Sequence, residues 1–267
     1  MADIKINGAT PSAFYDGSTA ATAVYYGSTK LWEATPQQQG VTIGGKFYPT
    51  VTIACSGTYP DFDTVYGYEF ITTNLDYAWD GLDVKTSGTL SSDPSACYYN
   101  FDESTYGWNG AKTGLLYNKA AVQYLLDNRS TLLPSSIGYW TLIPYSIWDN
   151  LCRIGGSKST AEQGGVGLSS VDWVVPSSGY PVPTNATGFN AIPSGVISST
   201  GTFNFGYNQM TTSTNAYLTT WLDTVSGSNR HTATVYGNRN TSRSSSSVDS
   251  KVGCSIRLCR YKKLPTT

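Results

Sequence analysis

Few residues of this 267-residue chain carry groups that could do acid–base or nucleophilic chemistry. The one histidine, His231, stands in Ser228-Asn229-Arg230-His231-Thr232, a polar string that predicts a solvated loop rather than a general base. The carboxylates Asp61, Asp63, Asp80, Asp83, Asp102 and Glu103 lie in turn-forming contexts, where Asp commonly caps its own backbone. Five cysteines, Cys55, Cys97, Cys152, Cys254 and Cys259, are odd in number, scattered, and without a C-x-x-C pair. That arrangement supplies neither a zinc site nor an obligatory disulfide framework. These residues predict no catalytic group, no metal and no cofactor.

Binding chemistry is better supplied. Between Gly201 and Ser247 the chain carries Phe203, Phe205, Tyr207, Asn208, Gln209, Tyr217, Trp221, Asp223, Asn229, Arg230, His231, Tyr236, Asn238, Arg239 and Asn240 among many Ser and Thr. Aromatic rings stack on apolar sugar faces or fill protein pockets, while amide, carboxylate and guanidinium groups orient a ligand by hydrogen bonds. Phe203, Phe205, Tyr217 and Trp221 are equally readable as core. Tyr207, Asn208, Tyr236, Asn238 and Arg239 are the expected ligand-binding residues. The Ser-rich run Thr241–Ser247 also fits a plain exposed loop.

Composition narrows the class of protein that could present such a face. Charged residues are 13% of the chain, about half the usual share of a soluble domain, whereas hydrophobic residues reach 39% and aromatics 13%. A sizeable core is therefore available, under a surface of Ser, Thr, Asn, Gln, Gly and Tyr. Such a surface disfavours a metabolic enzyme and suits secreted, fibrous or virion proteins that touch neutral ligands. The opening Met1-Ala-Asp-Ile-Lys-Ile-Asn-Gly8 has no apolar signal region, and no apolar run approaches the roughly 20 residues of a membrane span. The expectation is a soluble protein made in the cytoplasm, on which the sequons at Asn128, Asn185 and Asn240 are coincidental. Net charge is −1, yet residues 230–267 hold eight basic groups against one acid, leaving nine basic and seventeen acidic residues before them. Mutual packing of these oppositely charged parts, within or between subunits, is favoured over a nucleic-acid patch, for which no motif is present.

The elements that must position the late loops can be read in outline. Residues 1–36 form a short β module: Ile4 and Ile6 alternate into Asn7-Gly8, and Tyr15-Asp16-Gly17-Ser18-Thr19 is echoed by Tyr26-Gly27-Ser28-Thr29-Lys30. Pro36-Gln37-Gln38-Gln39-Gly40 reads as a linker into a second domain over 37–267. There, Val41–Tyr48 and Thr50–Ala54 read as strands, and Leu115–Leu126 has helical spacing. A second helix follows Pro144, with Ser146 as its cap, Ile147, Trp148, Leu151 and Ile154 as its buried face and Gly155-Gly156 as its stop. Short strands and long polar loops then close on Cys254–Arg260, a strand on which an odd offset puts Cys254 and Cys259 on opposite faces. Two helices in a loop-rich β framework make an α+β domain.

The ordered fragments Thr42-Ile-Gly-Gly-Lys46, Asn74-Leu-Asp-Tyr77, Tyr98-Tyr-Asn100, Gly114-Leu-Leu-Tyr-Asn118, Gly138-Tyr-Trp-Thr-Leu-Ile-Pro144, Thr187-Gly-Phe-Asn-Ala-Ile-Pro-Ser-Gly195, Thr219-Thr-Trp221 and Ser255-Ile-Arg-Leu-Cys-Arg260 resemble the Fibrobacter succinogenes major paralogous domain. That family is similar to C-type-lectin-like folds, which include phage receptor-binding proteins and formylglycine-generating enzymes. The resemblance covers residues 41–262 and implies that the late loops form an exposed recognition face and that Trp221 belongs to the core. Ile4–Gly8 and Val24–Trp32 resemble modules opening tail and fibre proteins of phages of Bacteroidetes.

Two departures bear on chemistry. Leu132-Leu-Pro-Ser-Ser136 stands where the family often has a cysteine, which puts its disulfide to the last strand in doubt. Trp148-Asp149-Asn150 is the nearest string to a lectin calcium set but falls on a helix, so no calcium site is expected. The resemblance implies a phage virion protein, located in the virion as a head or tail fibre or capsid decoration. Residues 1–36 would bind other virion proteins in a homotrimer, and the lectin-like domain would serve host attachment, receptor or carbohydrate binding. A purely structural decoration protein is the alternative, and a relative of the formylglycine-generating enzymes, with Cys254 and Cys259 as its redox pair, is the third reading.

Overall fold

The computed structural model describes residues 15–16, 19–20, 23–26, 29–33, 39–56, 65–103, 107–108, 111–134, 139–156, 165–170, 173, 182–204, 217–226, 229–236, 241–244 and 248–262. The chain separates into two compact units, Met1–Gln39 and Gly40–Thr267. In the first, β1 (Tyr15–Asp16) pairs with β2 (Thr19–Ala20), and β3 (Ala23–Tyr26) with β4 (Thr29–Glu33). Asp16 faces Thr19 and Tyr26 faces Thr29, so the two copies of the near-repeat are two antiparallel hairpins. Ile4, Ile6 and Asn7-Gly8 lie outside the described residues.

The second unit opens with β5 (Gly40–Ile43) and β6 (Lys46–Ser56), joined by Gly44-Gly45 with both φ angles positive, +57° and +79°. A tight two-residue hairpin demands this geometry. Gly44 is further confined because a Cβ there would lie 2.2 Å from the Tyr77 ring. Next come β7 (Val65–Ile71), β8 (Asp83–Lys85), β9 (Ser95–Cys97), β10 (Gly107–Trp108), β11 (Ala111–Lys112) and β12 (Leu116–Tyr117). The helices α1 (Lys119–Asp127) and α2 (Arg129–Leu132), the strand β13 (Thr141–Leu142), and the helices α3 (Tyr145–Gly155) and α4 (Gly165–Leu168) follow. The chain then forms β14 (Val196–Ile197), β15 (Phe203–Asn204), β16 (Tyr217–Ser226), β17 (Asn229–Tyr236), β18 (Thr241–Ser244) and β19 (Leu258–Lys262). The fold is α+β; among the described strands the ladders are antiparallel apart from β8–β9, and four isolated bridges, Ile143–Leu222, Ser169–Ala191, Gly195–Leu218 and Thr220–Ser255, are parallel.

The central sheet runs β13-β19-β7-β6-β5 and is apolar on both faces. Ile53, Phe70 and Cys259 face a core completed by Ile147, Trp148 and Leu151 of α3, with Phe189, Leu218 and Val235. Ile71 and Leu258 face a second core with Val122 and Leu125 of α1, Tyr117, Trp140, Trp221 and Ile256. At roughly 1.5–3 kcal/mol per large side chain, these layers supply most of the driving force. Trp221 is core, and its indole N–H donates to the Tyr117 carbonyl at 2.8 Å.

Several local expectations need correction. Helical spacing from Leu115 includes Leu116 and Tyr117, which instead pair with β9, and α1 begins only after Asn118. The Asn118 side chain accepts from the Ala121 N–H at 2.8 Å and reaches the Ser91 and Asp93 carbonyls, so a buried cap fixes the helix start. Ser146 does not cap α3: Pro144 holds that position and makes no side-chain cap bond. The buried stripe of α3 uses Cys152, and Ile154 is 44% exposed. Cys254 and Ser255 make isolated bridges to Tyr117 and Thr220, so the closing strand proper starts at Leu258. His231 is on β17, not in a loop, and is only 8% exposed. Among the described residues no helix is long and apolar enough to cross a membrane.

Three buried ionic groups tie distant elements together. Glu69 on β7 faces Arg260 on β19; it accepts from the Thr50 hydroxyl at 2.7 Å and the Arg260 guanidinium at 2.9 Å, with the Lys262 ammonium 3.6 Å away. Burial would raise its pKa, but the Thr50 and Arg260 hydrogen bonds and the two cations outweigh that and hold it below the ordinary value. Arg257, fully buried, donates to Asn74 Oδ1 (2.7 Å) and to the carbonyls of Ile71 (3.1 Å), Phe189 (3.1 Å) and Asn190 (2.7 Å). Burial pushes its pKa down to about 9, which still leaves it charged at neutral pH. Arg230 is likewise buried, bonded to the Leu222 and Asp223 carbonyls and to Gln123 Oε1. Four of the eight basic groups of the C-terminal stretch thus serve internal contacts.

Candidate functional site

The β16–β17 hairpin is the base of the expected recognition face. Its register pairs Tyr217 with Tyr236, Leu218 with Val235 and Thr219 with Thr234. Leu218 and Val235 are buried in the core beside α3, and the Thr219 and Thr234 hydroxyls meet at 3.2 Å. At the hairpin's end the rings of Tyr217 and Tyr236 pack edge to face, 4.7 Å apart at 80°. Burial, and secondarily Tyr236, raises the pKa of the Tyr217 phenol. Both rings are half-buried, so each retains accessible surface.

This end is well anchored. The N–H groups of Ser194 and Gly195 both donate to the Tyr217 carbonyl, at 3.0 and 2.9 Å. Ser194 is in turn held by the Ser255 hydroxyl at 2.5 Å. Phe203, just before the segment that leads into β16, packs against Tyr99 (5.1 Å) and Phe101 (4.9 Å). Phe101 has φ +58°, a conformation costly for a bulky residue and held here by that packing. The described residues Phe203 and Tyr217, on either side of 205–216 in the chain, both make aromatic contacts, and Tyr236 is the last described residue before 237–240.

Of the five expected ligand residues, Tyr236 is placed at this end. Tyr207 and Asn208 belong to 205–216, Asn238 and Arg239 to 237–240, and all four lie outside the described residues. The hairpin register brings the attachment points of those two segments together at Tyr217 and Tyr236. Tyr217, left open between core and surface by sequence, joins the site as the cross-strand partner of Tyr236. Alternation along β16 and β17, once paired end to end, was the signal that could have found it.

Among the described residues the acid–base candidates form no group of three. Asp83 pairs with Lys85 at 2.6 Å, Asp80 is exposed in a turn, and Asp61 and Asp63 lie outside the described residues. Trp148 is buried in the core and Asn150 donates to the Ser146 carbonyl, so the Trp148–Asn150 string is spent on α3. All five thiols are free and buried. Burial pushes Cys55, Cys97 and Cys254 up to about 12 and Cys259 well above its ordinary value. Cys254 packs in the Trp221 core and Cys259 in the Trp148 core. Among the described residues no three His, Cys, Asp or Glu side chains group as a metal centre requires. The described hairpin end offers neutral groups, aromatic edges and hydroxyls, and the sequence of the adjoining segments adds amides and one cationic guanidinium, Arg239.

Comparisons with protein-family models, with curated proteins and with solved structures return no match to this chain.

Proposed function

We propose that this is a non-enzymatic bacteriophage virion protein whose second unit, a C-type-lectin-like domain, binds a host-surface or subunit ligand through the Tyr217–Tyr236 end of β16–β17. The observation that carries the reading is that end itself. A register-locked aromatic pair, braced by Ser194 and Gly195, anchors both segments that hold the other expected ligand residues. The raised thiol pKa values favour binding over redox catalysis, because the thiolate is the reactive form. The first unit is proposed to attach to other virion proteins. Its described strands form two separate two-stranded sheets, and isolated hairpins are marginal in water without a partner. A homotrimer is proposed on the same ground. The charge asymmetry adds less than composition implied, since Arg230, Arg257, Arg260 and Lys262 are engaged internally.

The test is attachment of the purified, fluorescently labelled chain to cells of Bacteroidetes strains, with and without a divalent-metal chelator. Tyr236→Ala and Arg239→Ala are expected to weaken attachment while circular dichroism stays unchanged, and chelation is expected to change nothing. Unchanged attachment by both variants would remove this end from the site. No attachment by the parent chain, combined with its presence in assembled particles, would favour the structural decoration protein.

A further inference from the structure

We propose that the free edge of β5 pairs with the same edge of a second copy of this chain, joining two central sheets antiparallel about a twofold axis at Val41. This contact lies between two second units, so it stands apart from the homotrimer, which rests on the first. β5 ends the sheet β13-β19-β7-β6-β5. Ile43 and Lys46 close its two-residue hairpin as a hydrogen-bonded pair, after which the pairs alternate: Val41–Tyr48 is bonded, whereas Thr42–Phe47 and Gly40–Pro49 are not. Pro49 fits this pattern, because its carbonyl turns the other way, to the Thr72 N–H at 2.8 Å. The N–H and C=O groups of Gly40 and Thr42 therefore point off the sheet. Both residues are exposed, and among the described residues neither has a backbone hydrogen-bond partner.

Such groups recognise extended backbone, and charge decides whose. At the other ends of the described sheets of three or more strands, the end strand is either covered or charged. β13 is bridged to β16 at Ile143–Leu222, β12 to Cys254 at Tyr117, and β16 to Gly195, Ile143 and Ser255. β8 carries Asp83 and Lys85, and β18 includes Arg243. β5, Gly-Val-Thr-Ile, has no charge, no proline and no bulge to turn a partner away. Opposed to itself it meets no like charge, which makes it its own complement. Lys46, the cation at its hairpin, is held by Asp76 of its own chain.

The register follows from the bonding pattern. With Val41 on the axis, Gly40 of each copy faces Thr42 of the other, and both pairs exchange N–H···O=C bonds in the manner of an antiparallel ladder. Phe47 supplies the apolar part. It is 48% exposed and lies over Gly40, where a Cβ would be 2.2 Å from its ring. Gly40 and the incoming Thr42 share a face of the joined sheet, so the ring packs on that threonine. The contact is small, which makes the pairing weak in dilute solution and favours it where copies are crowded, as on an assembled particle.

The test measures the mass of the full chain in solution, by sedimentation equilibrium from dilute to concentrated protein, for the parent and for Thr42→Pro. Proline removes the outward N–H of residue 42 and no bond to β6. The parent mass is expected to double with rising concentration, and the variant to need about tenfold or more protein for the same step. Doubling of a trimer and doubling of a monomer both support the pairing, and only the first supports the homotrimer. A parent mass that never doubles would overturn the proposal and leave the edge to a strand of another protein, and a variant that doubles at the parent's concentration would overturn it as well. Should Thr42→Pro fail to fold, single cysteines decide, since the chain's own thiols are buried. On the axis the two Val41 Cα atoms lie about 4.5 Å apart, within disulfide reach. Val41→Cys is therefore expected to cross-link two copies on mild oxidation, and Thr42→Cys, which faces Gly40, is not. Any other pattern of cross-linking would refute the idea.

Discussion

Replacing Arg257 by Met should be among the most damaging single changes in the chain, and its size can be worked from the structure. The guanidinium satisfies four acceptors, all neutral, and three of these bonds, to Asn74 Oδ1, Ile71 O and Phe189 O, are fully buried. The fourth, to Asn190 O, is partly exposed and open to water. Each buried acceptor left unpaired costs about 1–3 kcal/mol. Met refills most of the volume and relieves the desolvation of a cation that has no carboxylate partner, which offsets part of the loss. The balance is about 3–5 kcal/mol, a large share of the 5–15 kcal/mol that holds a typical domain together. Arg257→Lys should not rescue it, because one ammonium cannot span acceptors arranged for a planar fork. Urea unfolding at pH 7, followed by the fluorescence of the buried Trp140, Trp148, Trp173 and Trp221, reads the change directly. A cost below about 1 kcal/mol for Arg257→Met would mean that the loops repack around apolar volume, and that the orphaned-acceptor reasoning fails.

Glu69→Gln should cost about 3–5 kcal/mol at pH 7, where it leaves Arg260 without its charge partner. Because the Glu69 pKa is lowered by folding from its ordinary value of 4.5, its contribution is complete above the ordinary carboxylate range and lost as pH falls through the folded value, so the gap between parent and variant should narrow in urea unfolding as pH is lowered through the acid range. Gly44→Ala should cost about 2–4 kcal/mol, combining positive φ with a clash on Tyr77, whereas Gly45→Ala, with open space around it, should cost about 1–2 kcal/mol; thermal unfolding separates them. Thiol reagents should label the folded chain slowly and at once after denaturation, and added reductant should leave the urea midpoint in place, since all five cysteines are free. Tyr236→Ala should weaken cell attachment by about 1–3 kcal/mol in affinity.

The parts of the fold legible in sequence were those fixed by local chemistry. Gly44-Gly45 marks a hairpin because both residues take positive φ, and Gly155-Gly156 marks the end of α3, where Gly156 leaves the helix in an extended conformation. What stayed hidden was decided by tertiary contact. Leu116 and Tyr117 have helical spacing with α1, but pairing with β9 and with Cys254 takes them into a strand. His231 sits among polar neighbours, yet the alternation Asn229, His231, Ala233, Val235 turns it inward once β17 pairs with β16. Arg257 is in sequence only one of eight basic groups of the C-terminal stretch, and the approach of residues 71, 74, 189 and 190 makes it a buried hub. The hairpin end was half legible: Tyr236 stood out by type, and Tyr217 needed the register.

The position of β19 inside the central sheet carries a consequence for biosynthesis. It lies between β13 and β7, and its Arg260 meets Glu69 across 191 residues of chain. Until residues 258–262 leave the ribosome, β7 presents an open edge, Glu69 lacks its cations and the sheet is split between β7 and β13. The nascent domain can form local hairpins but cannot close, so most of its folding is delayed until translation has passed this strand. Nonsense changes just upstream of Leu258 should therefore produce aggregation-prone chains rather than shortened functional ones.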